Sequence, residues 1–339
     1  MFVRAGITRR VLRLLHGLLA AAVLLLLPLL GLRGYWLDVI TRVNIFLLLT
    51  LSLDLYSGTT FYLNLGIPFI AGSAAYTIAL LNVYQKIPLE LAIAPAVGVA
   101  VLLSFLIFLP SLRVRGIYFS ILSLLLPIIA MGIVTSQPFS LYLGGEGGLS
   151  YPALLYSYTR SLPARERLPF LQLSYFYISA VVAIAAYVLT YKLAYSDLGF
   201  AMRAIGQDEV LAENAGIDTF KVKVVSFLAS STLAAVAGAL YAAMRPPLTV
   251  DILIPANTLV PPLTAVVIGG MGSIVGPAVA NYLLLIVYEL LWDFVGRWRT
   301  VIFMALLIAM VISKPQGVIF SLYLKVKGYL ATKLRSLKT

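Results

Sequence analysis

Residues 88–110 read PLELAIAPAVGVAVLLSFLIFLP. Glu90 stands near the start, and no further charge follows before Pro110. At about 1.5 Å per residue, a helix of this length crosses about 30 Å of hydrocarbon. The apolar residues are continuous rather than alternating, which argues for a spanning helix and against a strand of a membrane barrel. Similar runs lie at roughly 38–55, 61–83, 116–136, 171–192, 222–243, 274–292 and 299–314, with a first run ending near Leu30. A shorter one at 259–271 leads into a glycine cluster and reads as a half-helix or re-entrant segment. These runs predict an all-α integral membrane protein of about ten transmembrane segments, some of them broken or re-entrant.

The composition agrees. Hydrophobic residues make up 61% of the 339, and charged residues 11%. A soluble domain averages about 45–50% apolar and about 25% charged. The mean hydropathy of +1.00 belongs to a chain whose main solvent is lipid. The net charge of +12 does not imply nucleic acid, because the basic residues sit between apolar runs and at both ends.

Several chemistries are excluded outright. The chain has no cysteine, so thiolate sites and disulfides are impossible, and its single histidine, His16, rules out a histidine metal cluster. The dipeptide Gly-Lys is absent, and with it a P-loop; no GxSxG occurs either. The thirteen acids are dispersed and form no metal or catalytic constellation. The chain is expected to be no enzyme, and to hold no metal and no cofactor.

Positive charge sets the expected topology. Arg4, Arg9, Arg10 and Arg13 precede the first run, and no small-residue cleavage site follows it. The first run therefore reads as a retained helix with a cytoplasmic N-terminus. Alternation from there puts on the cytoplasmic side four basic residues at the N-terminus, two at Arg113 and Arg115, four around 193–221 and six from Lys314 onward, sixteen of the 25 in all. Both termini, the 193–221 stretch and a basic tail over 321–339 then face the cytoplasm, and residues 1–320 form one polytopic domain.

Three glycine-rich stretches interrupt the apolar pattern. In LNLGIPFIAGSAAYTIALL (63–81), Gly66, Pro68 and Gly72 break a segment beside Asn64. Irregular backbone in lipid is tolerated where it lines a cavity or is buried in protein, so Asn64, Gly66, Gly72 and Tyr76 are candidates for the translocation path. Close helix packing by small residues is the competing explanation. In AVVIGGMGSIVGP (265–277), Gly270 and Gly272 break the second half much as the first break does the first half, so that segments 2–5 and 7–10 are arranged as inverted repeats in outline. In YLGGEGGLSYP (142–152), glycines flank Glu146; Gly145, Glu146 and Gly147 read as an outer gate or docking element, or as a mobile surface loop.

The charge density peaks in YSDLGFAMRAIGQDEVLAENAGID (195–218). Ser196 or Asp197 suits a helix N-cap. Leu198, Met202 and Ile205 form one apolar stripe. Gly206 weakens the helix, a second short piece follows, and Gly216 suits its C-terminal end. Glu209 and Glu213 are like charges one turn apart, a defect that a cationic partner would relieve. The stretch reads as a cytoplasmic docking element for another protein.

In order along the chain, LNLGIPFIAGSAAYT (63–77), RVRGIYFSILSL (113–124), YLGGEGGLS (142–150), the long run SDLGFAMRAIGQDEVLAENAGIDTFKVKVVSFLASSTLAAVAGALYA (196–242) and VVIGGMGSIVGP (266–277) resemble the permease subunits of branched-chain amino acid ABC importers, in their LivM-type branch. The resemblance spans about residues 40–320. It implies a partner permease related to this one, two ATPase subunits that bind ATP on the cytoplasmic side, an extracytoplasmic binding protein that delivers a small-molecule substrate, and a place in the plasma membrane among its lipids. It also implies that Gly199, Arg203, Ala204, Asp208, Glu209 and Gly216 belong to the loop that docks on the ATPases. The chain departs from the family pattern at Ile67, Ala74, Phe200 and Glu146-Gly147. Relatives that import urea or short amides give the alternative substrate class. A secondary transporter or channel working alone is the rival of another kind; its ionisable sites would be Asp54, Glu90 and Glu289, each near the end of a predicted segment.

Overall fold

The structure, a computed structural model, describes residues 34–110 and 116–298, with single positions at 25, 26, 28 and 31 and at 301, 302, 305, 308 and 309. His16, most of the first apolar run, Arg113 and Arg115, most of the 299–314 run and the 321–339 tail lie outside the described residues.

Among the described residues, six helices are long and apolar enough to span a membrane. They are α1 (Tyr35–Leu53, continued by a π turn to Gly58), α2 (Ile67–Gln85), α3 (Leu89–Phe108), α4 (Ile117–Thr135), α5 (Ala164–Ala194) and α8 (Thr219–Met244). Two short helices, α6 (Asp197–Gln207) and α7 (Glu209–Asn214), join α5 to α8. The broken pair α9 (Val260–Gly269) and α10 (Val275–Val295) completes the described chain. Among the described residues the only strand-like pairing is one isolated bridge, Leu149 with Leu248. The all-α membrane architecture is thus as the sequence predicts.

The boundaries differ in instructive ways. The 38–55 run continues as helix to Gly58, so Asp54 lies within a helix and not at its watery end. The 61–83 run becomes helical only at Ile67, because Phe61 takes φ of 57° and Gly66 with Pro68 starts a new helix. α5 starts at Ala164, seven residues before the 171–192 run, and takes Arg165 and Arg167 out of the loop and into its first turn. α9 has ten residues and so rises about 15 Å, half a membrane.

Helix α8 lies at the centre, packed on α1, α2 and α3; α1 also packs on α5, α9 and α10. Small residues make these approaches close. Ala234, Ala235, Ala237, Gly238, Ala239, Ala242 and Ala243 are all buried, and Gly238 lies directly on the backbone of Ala71 in α2. α1 is buried over 78% of its apolar span, α3 and α4 over only 28%, which makes α1 an inner helix and turns α3 and α4 outward. Leu102, Leu106, Ile121 and Ile129 on those two helices are exposed, as side chains facing lipid are.

Candidate functional site

The two glycine breaks meet. The first is built from the π turn Asp54–Gly58, the last helical residues Thr59 and Thr60, and the irregular residues 61–66. Thr59 and Thr60 turn their hydroxyls back onto the carbonyls of Leu55 and Tyr56. The backbone N–H of Asn64 donates to Ser57 Oγ at 2.9 Å, and Asn64 Oδ1 accepts from Gly66 N at 3.0 Å. Leu65 N donates outward to Ser123 Oγ of α4 at 3.0 Å, so these backbone amides find partners within the loop and on a neighbouring helix, as lipid-depth backbone requires.

The second break is Gly269–Ile274, where Gly270 and Gly272 take φ of 95° and 76°. Asp54, fully buried, reaches across: its carboxylate oxygens accept the backbone N–H of Gly272 at 2.6 Å and of Ile274 at 2.9 Å. Gly58 lies so close to this turn that a Cβ there would stand 2.5 Å from Gly272 N. A Cβ on Gly272 would in turn stand 2.5 Å from Gly58 O. The breaks are thus in backbone contact, held by one carboxylate.

Gly72 and Tyr76, which the sequence counts with the first break, lie within helix α2. Gly66 lies against the Phe108 ring and Ser123 O, and Gly72 against Leu253. Tyr76 and Asn64 are buried, and the Tyr76 hydroxyl and Asn64 Nδ2 have no hydrogen-bond partner. The small-residue explanation accounts for Gly66 and Gly72.

The 142–152 loop is pinned. Leu149 and Leu248 exchange backbone hydrogen bonds of 2.8 and 2.9 Å, and Gly148, at φ of 76°, lies on Leu248 O. Tyr151 donates to Ala242 O at 2.8 Å, and burial pushes its phenol above the ordinary range, so the donor stays protonated. Gly145 is buried; Glu146 and Gly147 face outward. The sequence leaves a mobile loop open at this place, and the structure ties it to the end of α8.

In the 195–218 element the sequence finds the pieces, while two of its charges, Arg203 and Glu209, turn inward. α6 and α7 fall where the pattern puts them, and Met202 and Ile205 are buried on the expected stripe with Leu198 half-buried. Ser196 does sit at the N-cap, but its hydroxyl turns back to Leu193 O instead of capping α6. Gly199 is pressed on the Ala194 carbonyl. Arg203 donates to that same carbonyl at 2.7 Å, stacks 5.1 Å from the Tyr195 ring, and so caps the end of α5. Asp208 caps α7 through Leu211 N, and Gly216 ends it at φ of 87°. Ala204 is half-buried.

Glu209 and Glu213 do not present a joint negative face. Glu213 accepts from Thr219 Oγ1 at 2.8 Å, while Glu209 turns inward onto Lys223, 2.6 Å away, and onto the Tyr62 hydroxyl. The cation that relieves the like-charge pair is therefore in the chain itself. Outward the element shows three apolar side chains, Phe200, Val210 and Leu211, exposed at 61%, 51% and 67%, among the exposed Asp197, Gln207, Asp208, Glu213 and Asn214.

At the opposite ends of α1 and α8 lies a cavity of about 340 Å³. Its lining combines polar side chains, Arg245, Asp251 and Asn257, with apolar ones, Ile45, Leu49 and Ala237. Arg42 also lines it and pairs with Glu289, which the Tyr35 hydroxyl reaches at 2.8 Å.

Two irregular turns in contact within a lipid-facing bundle, and a polar two-helix element beyond its end, suit a permease. Residues 35–311 match the family described as branched-chain amino acid transport system / permease component. The chain belongs to this permease family. Among its relatives, the high-affinity branched-chain amino acid transport system permease protein LivM of Escherichia coli K12 is 27% identical over 303 residues, covering 83% of this chain and 69% of that protein. The corresponding LivH of the same strain is 31% identical over 144 residues, 41% of this chain and 45% of that protein. A probable branched-chain amino acid transport permease protein LivH of Methanocaldococcus jannaschii is 28% identical over 166 residues, 46% of this chain and 50% of that protein. No solved structure matches significantly. As a member of the permease family the chain is a multi-pass membrane protein and the permease subunit of an ABC importer.

Lys223 and Tyr62 are functional candidates that sequence reasoning did not assign, and Asp54 entered it only as an ionisable site of the rival transporter. An acid and a lysine inside apolar runs were visible, and the unbalanced Glu209–Glu213 pair was a pointer to a nearby cation.

Proposed function

We propose that this permease carries branched-chain or other hydrophobic amino acids inward, in complex with a second related permease, two ATPase subunits that bind the ATP, and an extracytoplasmic binding protein. Both termini and the α6–α7 element face the cytoplasm in this reading. The ATPases dock on the exposed face of Phe200, Val210, Leu211 and Asp208. Arg203 and Gly199 support that face from behind, while Glu209 points away from it onto Lys223 and Tyr62.

The cavity supports the amino acid reading best. A zwitterion needs one cationic and one anionic partner, and Arg245 and Asp251 supply them beside an apolar wall. Urea and short amides carry no charge, so they could hydrogen-bond to these two side chains but form no ion pair with either. The rival, a transporter working alone, expects an unengaged ionisable group within the bundle. Its candidates are occupied: Asp54 by two amides, Glu289 by Arg42 and Tyr35, and Glu90 at 3.4 Å by Leu155 N.

The test is purification followed by reconstitution. The tagged chain is expected to bring down two ATPases, and proteoliposomes holding the complex and its binding protein to take up leucine or isoleucine only with ATP. Uptake without ATP, or a substrate profile led by urea, would defeat the proposal. Phe200→Glu with Leu211→Glu is expected to release the ATPases. Such an insertion of charge at an apolar contact costs up to several kcal/mol, and about 1.4 kcal/mol is already tenfold in affinity. Normal ATPase stoichiometry in that variant would move the docking face elsewhere.

A further inference from the structure

Between the α6–α7 element and the meeting point of the two glycine breaks, the chain buries a charge pair. Glu209, the first residue of α7, and Lys223, in the first turns of α8, have side chains exposed by only 10% and 4%. Their atoms stand 2.6 Å apart. Tyr62, in the irregular loop of the first break, donates its hydroxyl to the same carboxylate and lays its ring under the lysine, 4.8 Å from ring centroid to Nζ. Three separate elements therefore converge on one carboxylate.

A second contact runs alongside. Gly206 at the end of α6 lies on the loop, so that a Cβ there would stand 2.6 Å from Thr59 O and 2.7 Å from the Phe61 ring. From this loop the structure continues without a gap. Residues 54–58 precede it, and Asp54 holds the second break through Gly272 and Ile274. The Tyr62 ring stands 6.1 Å from Phe119, whose neighbours Tyr56 and Phe108 each touch Phe227 of α8.

Burial of an ion pair is a poor route to stability, since desolvation consumes most of the attraction and a well-packed apolar pair often does as well. What such a pair does supply is register: the partners tolerate one arrangement, and sliding either away leaves a charge unpaired in a dry place. A joint of that kind moves as a unit.

We propose that Glu209, Lys223 and Tyr62 form the joint through which movement of the ATPase-docking element reaches the broken segments, so that Glu209 and Lys223 are positioning residues for transport. The proposal rests on the reading of α6–α7 as the docking element.

The experiment uses the whole complex in proteoliposomes with its binding protein, and reads three quantities together: ATPases retained, ATP hydrolysed and leucine taken up. Glu209→Gln and Lys223→Met are expected to keep the ATPases bound and hydrolysing, while uptake per ATP falls at least about tenfold, within the roughly 5–150-fold that coupling between sites typically spans. The exchanged pair, Glu209→Lys with Lys223→Glu, restores the attraction and is expected to recover much of the uptake per ATP. The double variant Glu209→Met with Lys223→Met removes both charges and leaves no orphan; it is expected to fold, assemble and hydrolyse ATP without transport. Normal uptake per ATP in that double variant overturns the proposal. So does a fall of hydrolysis and uptake in strict proportion. If every variant fails to accumulate, the pair is a folding element and the proposal is likewise overturned. Failure of the docking reading is distinguishable, because it shows as ATPases retained by the Phe200→Glu, Leu211→Glu variant.

Discussion

Gly238→Ala is expected to destabilise the protein sharply, while the same change at Gly132 is expected to be harmless. Both glycines lie inside apolar spanning helices, α8 and α4, and both substitutions gain the helix preference of alanine over glycine, about 0.8–1.0 kcal/mol. What differs is the neighbour. A Cβ on Gly238 would land on the carbonyl carbon and Cα of Ala71, at 2.5 and 2.6 Å, and on its oxygen closer still. These are backbone atoms, which no rotamer change removes. A Cβ on Gly132 meets nothing within 4 Å. Overpacking costs about 1–3 kcal/mol and sometimes more. The contact joins α8 to α2 at the centre of the bundle, so relief by separation would loosen helices that bury much of the core. Thermal unfolding in detergent should show a clear loss for Gly238→Ala and none for Gly132→Ala, with Gly238→Leu failing to accumulate. Equal melting of the two alanine variants would mean that α2 and α8 do not approach as described.

The helices were legible in the sequence for a simple reason: lipid demands long apolar runs, and a run of twenty such residues has few other uses. The positions of α3, α4 and α8 accordingly agree with the pattern within a few residues. The bundle's interior was less legible. Periodicity carries little information when a helix is apolar on all sides, and the plainer signal is composition: α1, which is inner, carries Asn44, Thr50, Ser52 and Asp54 and a mean hydropathy of 1.6, against 2.6 and 2.4 for α3 and α4, which face outward. Small residues are a second signal. The alanines and Gly238 of α8 reveal a close approach, though not to which helix.

For the candidate site, the glycine breaks announced irregular backbone but not their contact with one another. That contact depends on Asp54, which the run 38–55 places at a segment end, because hydropathy cannot detect a π turn that carries helix past a charged residue. The 195–218 element shows a different limit. Its charges drew attention, yet Arg203 and Glu209 are spent within the chain, while apolar Phe200, Val210 and Leu211 are exposed beside Asp208 and Glu213. A charge inside a sequence pattern says that a partner exists; whether that partner is a soluble protein or a lysine fourteen residues on is a question of geometry.

The largest effect on transport is expected at Asp54, with a graded series. Asp54→Ala orphans the N–H groups of Gly272 and Ile274, and an unsatisfied buried amide costs about 1–3 kcal/mol. Relief of the carboxylate's own desolvation offsets part of this. The protein is therefore expected to reach the membrane at reduced level, but with the second glycine turn no longer held to the first break. Uptake should fall below detection even after correction for protein amount. Asp54→Asn retains one carbonyl acceptor of nearly the same shape and can hold one of the two amides. It should keep a measurable part of the uptake, still dependent on ATP. The series also separates the importer from a transporter working alone. If Asp54 were a proton or ion site, asparagine would be as damaging as alanine, since both remove the charge, and uptake in the wild type would follow an ion gradient. If Asp54 is instead a staple between two turns, what matters is an acceptor in the right place. Uptake by Asp54→Asn that equals that of Asp54→Ala, or wild-type uptake by Asp54→Ala, would show that the carboxylate does not act by holding the two breaks together.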